Sequence, residues 1–343
     1  MISVSSGGET KRRPLIKSVT LIEFALKNKA LVILAVLCII MSFASDVFLT
    51  TANLINVTRQ VAITAIVGVG FTFIVACGAL DLSVDTQIAL LGIISAQLSK
   101  IEGMPLVVAF ALTLLVGIML GTVAGFIVTQ FNLPPVVVTL GMQLAYRGAS
   151  NLLCNASPVL GIKDFQVWLG QGHVSFIPVP VVLLIVIVLI FAAVLYRTKY
   201  GRYVIATGAN QSAALVSGVN VKFIRMSVHV VLSVCIAIAS IILTGRVRSA
   251  QPNAGTGTGT DAICAVVLGG TRMGGGNGKV TGTVFGCLIV GVINNGLNLM
   301  NINMNWQYIV KGALIVLSIV IDASTENVMS RIYAKQLQSE KDN

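Results

Sequence analysis

Residues 105–129 read PLVVAFALTLLVGIMLGTVAGFIVT, twenty-five residues without one charge. As a helix this run is about 37 Å long, more than the roughly 30 Å hydrocarbon core of a bilayer. Gly117, Gly121 and Gly125 recur every fourth residue and so share one face. Such a ridge lets a second helix backbone approach closely where lipid supplies no hydrophobic drive. The stretch therefore predicts a membrane helix packed against a neighbour.

The same reading extends outward. Apolar segments fall near 30–48, 61–79, 85–98, 135–153, 178–196, 223–245, 261–270, 280–300 and 305–322 as well. The chain is 56% hydrophobic and 10% charged over 343 residues, against about 25% charged in soluble domains. The sequence predicts an all-α polytopic membrane protein of about ten segments, with a tail at 1–29, a transmembrane domain at 30–322 and a tail at 323–343. Segments 85–98 and 261–270 are too short to cross alone and follow breaks at Asp81 and Asp261. Broken or re-entrant helices of this kind survive only beside protein or a wet cavity. Both halves run acidic break, short segment, glycine-rich helix (Gly282 and Gly286 in the second), which suggests two pseudo-repeated halves.

The net charge of +11 reflects topology. Lys11, Arg12, Arg13, Arg197, Lys199, Arg202, Lys222, Arg225, Arg272, Lys279, Arg331 and Lys335 gather in the tails and alternate loops. The intervening loops hold only Arg59, Lys100, Lys163, Arg246 and Arg248. The positive-inside rule then puts both termini in the cytoplasm and residues 154–177 and 246–260 outside, as aqueous loops. Basic residues are not interleaved with aromatics, so no nucleic-acid partner is expected. The N-terminus reads as a retained first helix and not as a signal peptide, since its apolar core starts only near Ala30.

Six scattered cysteines show no metal or redox spacing and read as small packing residues. Residues 269–279, GGTRMGGGNGK, imitate a phosphate loop, but Met273 and Val280 stand where glycine and Ser or Thr are required. The stretch predicts a tight turn between close helices. His173 and His229 lie far apart, and no catalytic constellation emerges, so the chain is not expected to be an enzyme. Polar groups at membrane depth need a reason. Asp81 with Ser83 either caps the next segment or lines a pathway; Asn294 and Asn295 either bond across helices or face a polar solute. Arg147, Lys311 and Asp322 are placed to snorkel or pair.

The loop 197–222 predicts one short helix, with Asn210-Gln211-Ser212 offering an N-cap ahead of Ala213–Val216 and Gly218 as the stop. It is either a surface helix or a docking helix whose small residues (Gly208, Ala213, Ala214, Ser217) allow close contact.

Four motifs, GALDLSVD (78–85), TLGMQLAYRG (139–148) after Pro135, GRYVIATGANQSAALVSGVNV (201–221) and the block from SAQPNAG to DAICAVVLGGTRMGGGNGKVTG (249–282), carry a resemblance. The chain resembles the permease subunits of bacterial ribose-, xylose- and galactose-type ABC importers of the inner membrane, from about residue 50 to 322. The resemblance implies a permease translocating a ribose-like monosaccharide by alternating access, with autoinducer, nucleoside or polyol as other solutes. It also implies a permease dimer around a central pathway, homomeric or heteromeric. A separate ATPase, commonly of two fused cassettes and carrying the ATP and Mg, docks on Gly208–Gly218, and an external sugar-binding protein delivers the solute. No cofactor is expected on this chain itself. An ion-coupled carrier using Asp81 or Asp85 is the rival reading. The chain departs from the family at Asp85, where glycine is usual, and at Thr258–Thr260, where an aromatic-Glu-Leu run is common.

Overall fold

A computed structural model describes residues 29–303, 305–314, 316–317 and 320. Most of both tails, and Asp322, lie outside these. Each of the ten apolar segments falls on helix: α1 (Lys29–Ala44), α2 (Thr51–Ala76), α3 (Val84–Lys100), α4 (Leu106–Gln130), α5 (Pro135–Cys154), α7 (Val179–Arg197), α10 (Val221–Val247), α11 (Thr258–Leu268), α12 (Val280–Leu299) and the stretch 305–314. Five of them, α2, α4, α7, α10 and α12, are long and apolar enough to cross a bilayer alone.

Burial sorts these helices into centre and rim. In the apolar window of α2 83% of residues are buried, against 22% in α4 and 28% in α7. An apolar helix left uncovered by protein is one that lipid covers. α2 and α10 therefore form the core, where Phe71, Phe73, Ile74, Leu232 and Ile236 are fully buried, and α4 and α7 stand at the rim. The glycine ridge of α4 does what its spacing predicts. A Cβ at Gly121 would lie 2.7 Å from the His229 carbonyl oxygen, and one at Gly125 2.7 Å from the Met226 Cα, both on α10. Gly282 and Gly286 instead meet the backbone of Gly269 and Ala265 at the end of α11. Both ridges thus admit a neighbouring helix backbone, that of α10 in one case and of α11 in the other.

Four local expectations are corrected. α2 begins at Thr51, ten residues before the apolar run, because Asn53, Asn56 and Gln60 find partners or a polar cavity in the bundle. The segment 154–177 is more than an aqueous loop: it holds α6 (Asp164–Gln171) and a hairpin of β1 (His173–Val174) and β2 (Ile177–Pro178). Gln166 of α6 is fully buried and donates to Ser95 Oγ at 3.1 Å and to the Ile241 carbonyl at 3.3 Å. The segment 246–260 is tied down, with Ala250 and Val159 exchanging backbone hydrogen bonds of 2.8 and 3.0 Å. The loop 197–222 carries two helices, α8 (Lys199–Ala209) and α9 (Gln211–Val216). Gly201 and Gly208 weaken helix propensity in α8, yet they sit where its backbone presses on Leu195 and Ala76. Tertiary contact outweighs propensity there. As expected, residues 269–279 form a tight turn, with positive φ at Gly270, Gly275 and Gly276.

Candidate functional site

The polar groups of the bundle converge at three places. The first is the break between α2 and α3. Gly78 turns the chain with φ of +79°, and Asp81 folds back so that its Oδ1 accepts from the Ser83 amide at 2.8 Å and the Ser83 hydroxyl at 2.6 Å. Ser83 occupies the N-cap of α3 without a side-chain capping bond, so Asp81 stabilises the turn and does not cap the helix. Asp81 Oδ2 faces His229 Nδ1 of α10 at 3.4 Å, both side chains almost wholly buried. The Leu82 amide is held by Thr139 Oγ1 of α5 at 3.1 Å. Nothing in the sequence paired Asp81 with His229, which are 148 positions apart.

Four residues on, Asp85 does cap a helix, though another one. α11 starts after Gly257, which has φ of +83° and no side chain to satisfy the first amides. Asp85 Oδ2 accepts from the Gly257 amide at 2.8 Å and Oδ1 from the Gly259 amide at 2.6 Å. A carboxylate at a helix N-terminus is also favoured by the helix dipole. A Cβ on Gly259 would stand 3.0 Å from Asp85 Oδ1. The two places where the chain leaves the resembled pattern are therefore one contact: the carboxylate at 85 fits because position 259 has no side chain. Asp81, Asp85, Gln143 and Gly259 border a cavity of about 160 Å³.

The second place lies across α11. Asp261, in the first turn of that helix and so within it and not in a break, pairs with Lys311 Nζ at 2.8 Å and accepts from Asn294 Nδ2 of α12 at 2.9 Å. The expectation that Lys311 could pair is met by a partner 50 positions away. These residues, with Gln60, Thr64, Asn298 and Gln307, border a cavity of about 420 Å³. Asn295 faces the other way and exchanges two hydrogen bonds with Asn53 of α2, 3.0 and 2.8 Å long. Of the four residues proposed for a pathway, Asp81 and Asn294 border cavities, while Ser83 and Asn295 are spent on internal bonds.

The third place is α8–α9, at the end of the bundle where the 269–279 turn lies. Asn210 Oδ1 caps α9 through the Ala213 amide at 3.0 Å, Ser217 Oγ donates to the Ala213 carbonyl at 2.8 Å, and Gly218 has φ of +81°. Ala213 is exposed and Ala214 buried. Gly208 is small for an internal reason: its Cα packs on the Ala76 carbonyl and on Gly275 and Gly276 of the turn, and the Gly276 amide donates to that same carbonyl at 2.9 Å. Leu215 and Val216 stand 63% and 90% exposed. Attention to the small residues of the loop passes over them, although they stand side by side at the end of the short helix that the sequence predicts.

A helical bundle with a lipid-facing rim, polar cavities beside broken helices and an exposed helical loop at one end defines a polytopic membrane permease. Comparison with known proteins agrees. The family described as branched-chain amino acid transport system / permease component matches residues 53–319, and the chain belongs to it. The chain is 39% identical to the ribose import permease protein of Escherichia coli strain K12 over 87% of its own length and 94% of that protein's. Identity is 34% to the D-allose transport system permease protein of the same strain, covering 82% and 86%. It is 30% to that strain's xylose transport system permease protein, covering 88% and 93%. No solved structure matches.

Proposed function

We propose that this chain is the membrane subunit of an ATP-binding-cassette importer and carries a monosaccharide inward across the bacterial cytoplasmic membrane. The observation that carries the reading is near-full-length similarity to ribose, allose and xylose permeases, three proteins named for monosaccharides. In this reading the chain has ten membrane segments in two pseudo-repeated halves, and both termini are cytoplasmic. Two copies pair around the route, and a binding protein delivers sugar at the outer end, where Arg246 and residues 248–257 stand. ATP is hydrolysed on a separate subunit, of two fused cassettes, that docks on α8–α9.

The contacts support a definite coupling route. Leu215 and Val216 offer an apolar knob to the ATPase, and Gly208 transmits its displacement to the end of α2 and to the turn that follows α11. Asp81 and Ser83 sit at the break before α3 that would move, and Asn294 and Asn295 lie within α12. Alternating access then requires that the ATPase grip α9 differently in its two nucleotide states.

Uptake of labelled D-ribose, D-allose and D-xylose by cells with and without this gene tests the reading, together with mild-detergent purification of the tagged chain. Expected are gene-dependent uptake of one sugar that survives an uncoupler and stops on ATP depletion, and a co-purifying cassette ATPase. Uptake that collapses with the uncoupler and survives ATP depletion would sink it.

A further inference from the structure

The cavity of about 420 Å³ beside α11 is of the size that small-molecule sites have. Its floor is made from Asp261, Lys311 and Asn294, each nine-tenths or more buried. The ion pair of 2.8 Å cancels its own charge, and Asn294 Nδ2 holds the carboxylate at 2.9 Å. Asn294 Oδ1 is buried with no hydrogen-bond partner among the described residues. A buried acceptor left unpaired is costly and asks for a ligand or water.

The walls add amides and hydroxyls, among them Gln60, Thr64 and Gln307. Each of these can both donate and accept, as every hydroxyl of a sugar does. Ile63 and Leu243 give the same space an apolar side for a C–H face. Arg246, at one edge, is engaged by Asn56 Oδ1 at 3.0 Å. A self-neutralised floor with amphoteric walls suits a neutral polyhydroxylated solute better than an ion.

We infer that each permease chain holds, in this cavity, its own binding site for one neutral monosaccharide. The inference rests on the permease reading above and adds that the sugar pauses inside a single subunit, beside Asn294. A route lined only by the surface between two copies would leave this cavity without a role.

The test uses the full importer in nanodiscs, with Thr64→Cys, a near-isosteric change in the wall, as reporter. Thr256→Cys at the exposed rim serves as a second reporter should the first fail to assemble. Five of the six native cysteines are buried, and the wild-type complex gives the labelling background. Labelling by a small polar maleimide is timed with and without high-millimolar D-ribose, D-allose, D-xylose or D-glucuronate, and wild-type transport is measured in parallel. The sugar that wild type transports is expected to slow labelling by at least about threefold, the effect of two-thirds occupancy. Ser212→Cys, at the far end of the bundle, should label at an unchanged rate. Full transport by wild type with no protection at either reporter by the transported sugar overturns the site and leaves the permease reading standing. Protection by glucuronate alone overturns the neutral-solute assignment. Absence of both transport and an associated ATPase overturns the permease reading, and the site with it.

Discussion

Replacing Asp85 by alanine removes the acceptor of the Gly257 and Gly259 amides at the start of α11. Two charge-assisted hydrogen bonds are lost, at 2.6 and 2.8 Å. Hydrogen bonds to charged groups contribute about 1.5–3 kcal/mol each. Asp85 is only half-buried and borders a cavity that can admit water, so part of the loss is recovered, leaving roughly 2–4 kcal/mol. At about 1.4 °C per kcal/mol for a chain of this length, thermal unfolding of the purified permease should fall by on the order of 3–6 °C. Asp85→Asn keeps one acceptor oxygen and should fall about halfway between. The stronger check is coupling. Gly259→Ala puts a methyl 3.0 Å from Asp85 Oδ1 and should destabilise the native chain by about 1 kcal/mol, whereas in an Asp85→Gly background much of that cost disappears. A scanning-fluorimetry series over Asp85→Ala, Asp85→Asn, Asp85→Gly, Gly259→Ala and the Asp85→Gly/Gly259→Ala double decides the matter. An Asp85→Ala transition within a degree of wild type, or strict additivity of the Asp85 and Gly259 changes, would refute the capping role.

The other expectations concern separate contacts. Asn53→Ala and Asn295→Ala each break both bonds of the reciprocal amide pair and should lower stability by about 1–2 kcal/mol, the double variant costing less than their sum; fluorimetry of the three chains measures it. Leu215→Asp with Val216→Asp should abolish ATPase co-purification while leaving the melting point within about 2 °C, because both side chains are already in solvent. Ala213→Trp should act in the same way, whereas Gly208→Trp should prevent folding, since even a Cβ there overlaps the Ala76 carbonyl. Lys311→Met strands Asp261 as an uncompensated buried charge and should cost about 3–5 kcal/mol, much of it restored by adding Asp261→Asn; expression and melting of single and double variants report it.

What could be read from the sequence was what repeats or punctuates. Apolar runs located the membrane helices, four-residue glycine spacing located the α4 ridge, and Asn210-Gln211-Ser212 with Gly218 bracketed α9, which starts two residues earlier than Ala213. The start of α2 was hidden because Asn53, Asn56 and Gln60 look like loop until Asn295, Arg246 and a cavity are set beside them. The site pairings were hidden more deeply. Asp81 with His229, Asp85 with Gly257 and Gly259, and Asp261 with Lys311 join residues from distant parts of the chain. Asp81, His229, Asp85, Asp261 and Lys311 each read alone as one unexplained polar group, and Gly257 and Gly259 as ordinary loop glycines. Asp85 and residue 259 stand out separately as departures from the resembled pattern, and only the fold makes them a single contact.

That contact also places α11 in the geometry of transport. Eleven residues of helix span about 16 Å. At the N-terminal end, Gly259 borders the small cavity and Thr258 and Asp261 the large one. At the C-terminal end the chain passes into the 269–279 turn, which is bonded to Ala76 and packed on Gly208. One short rigid element thus connects the face that carries Leu215 and Val216 with the floor formed by Asp261 and Asn294. Its N-terminus is held by a carboxylate from α3 and not by a side chain of its own, so α11 can leave that carboxylate without unwinding. If the capping bonds break in one state of the cycle, Asp85→Ala should shift the equilibrium toward that state. The Thr256→Cys reporter would then label faster in the Asp85→Ala chain than in the native one, with no sugar present. An unchanged rate would mean that α11 keeps its cap throughout and that the moving boundary lies elsewhere in the bundle.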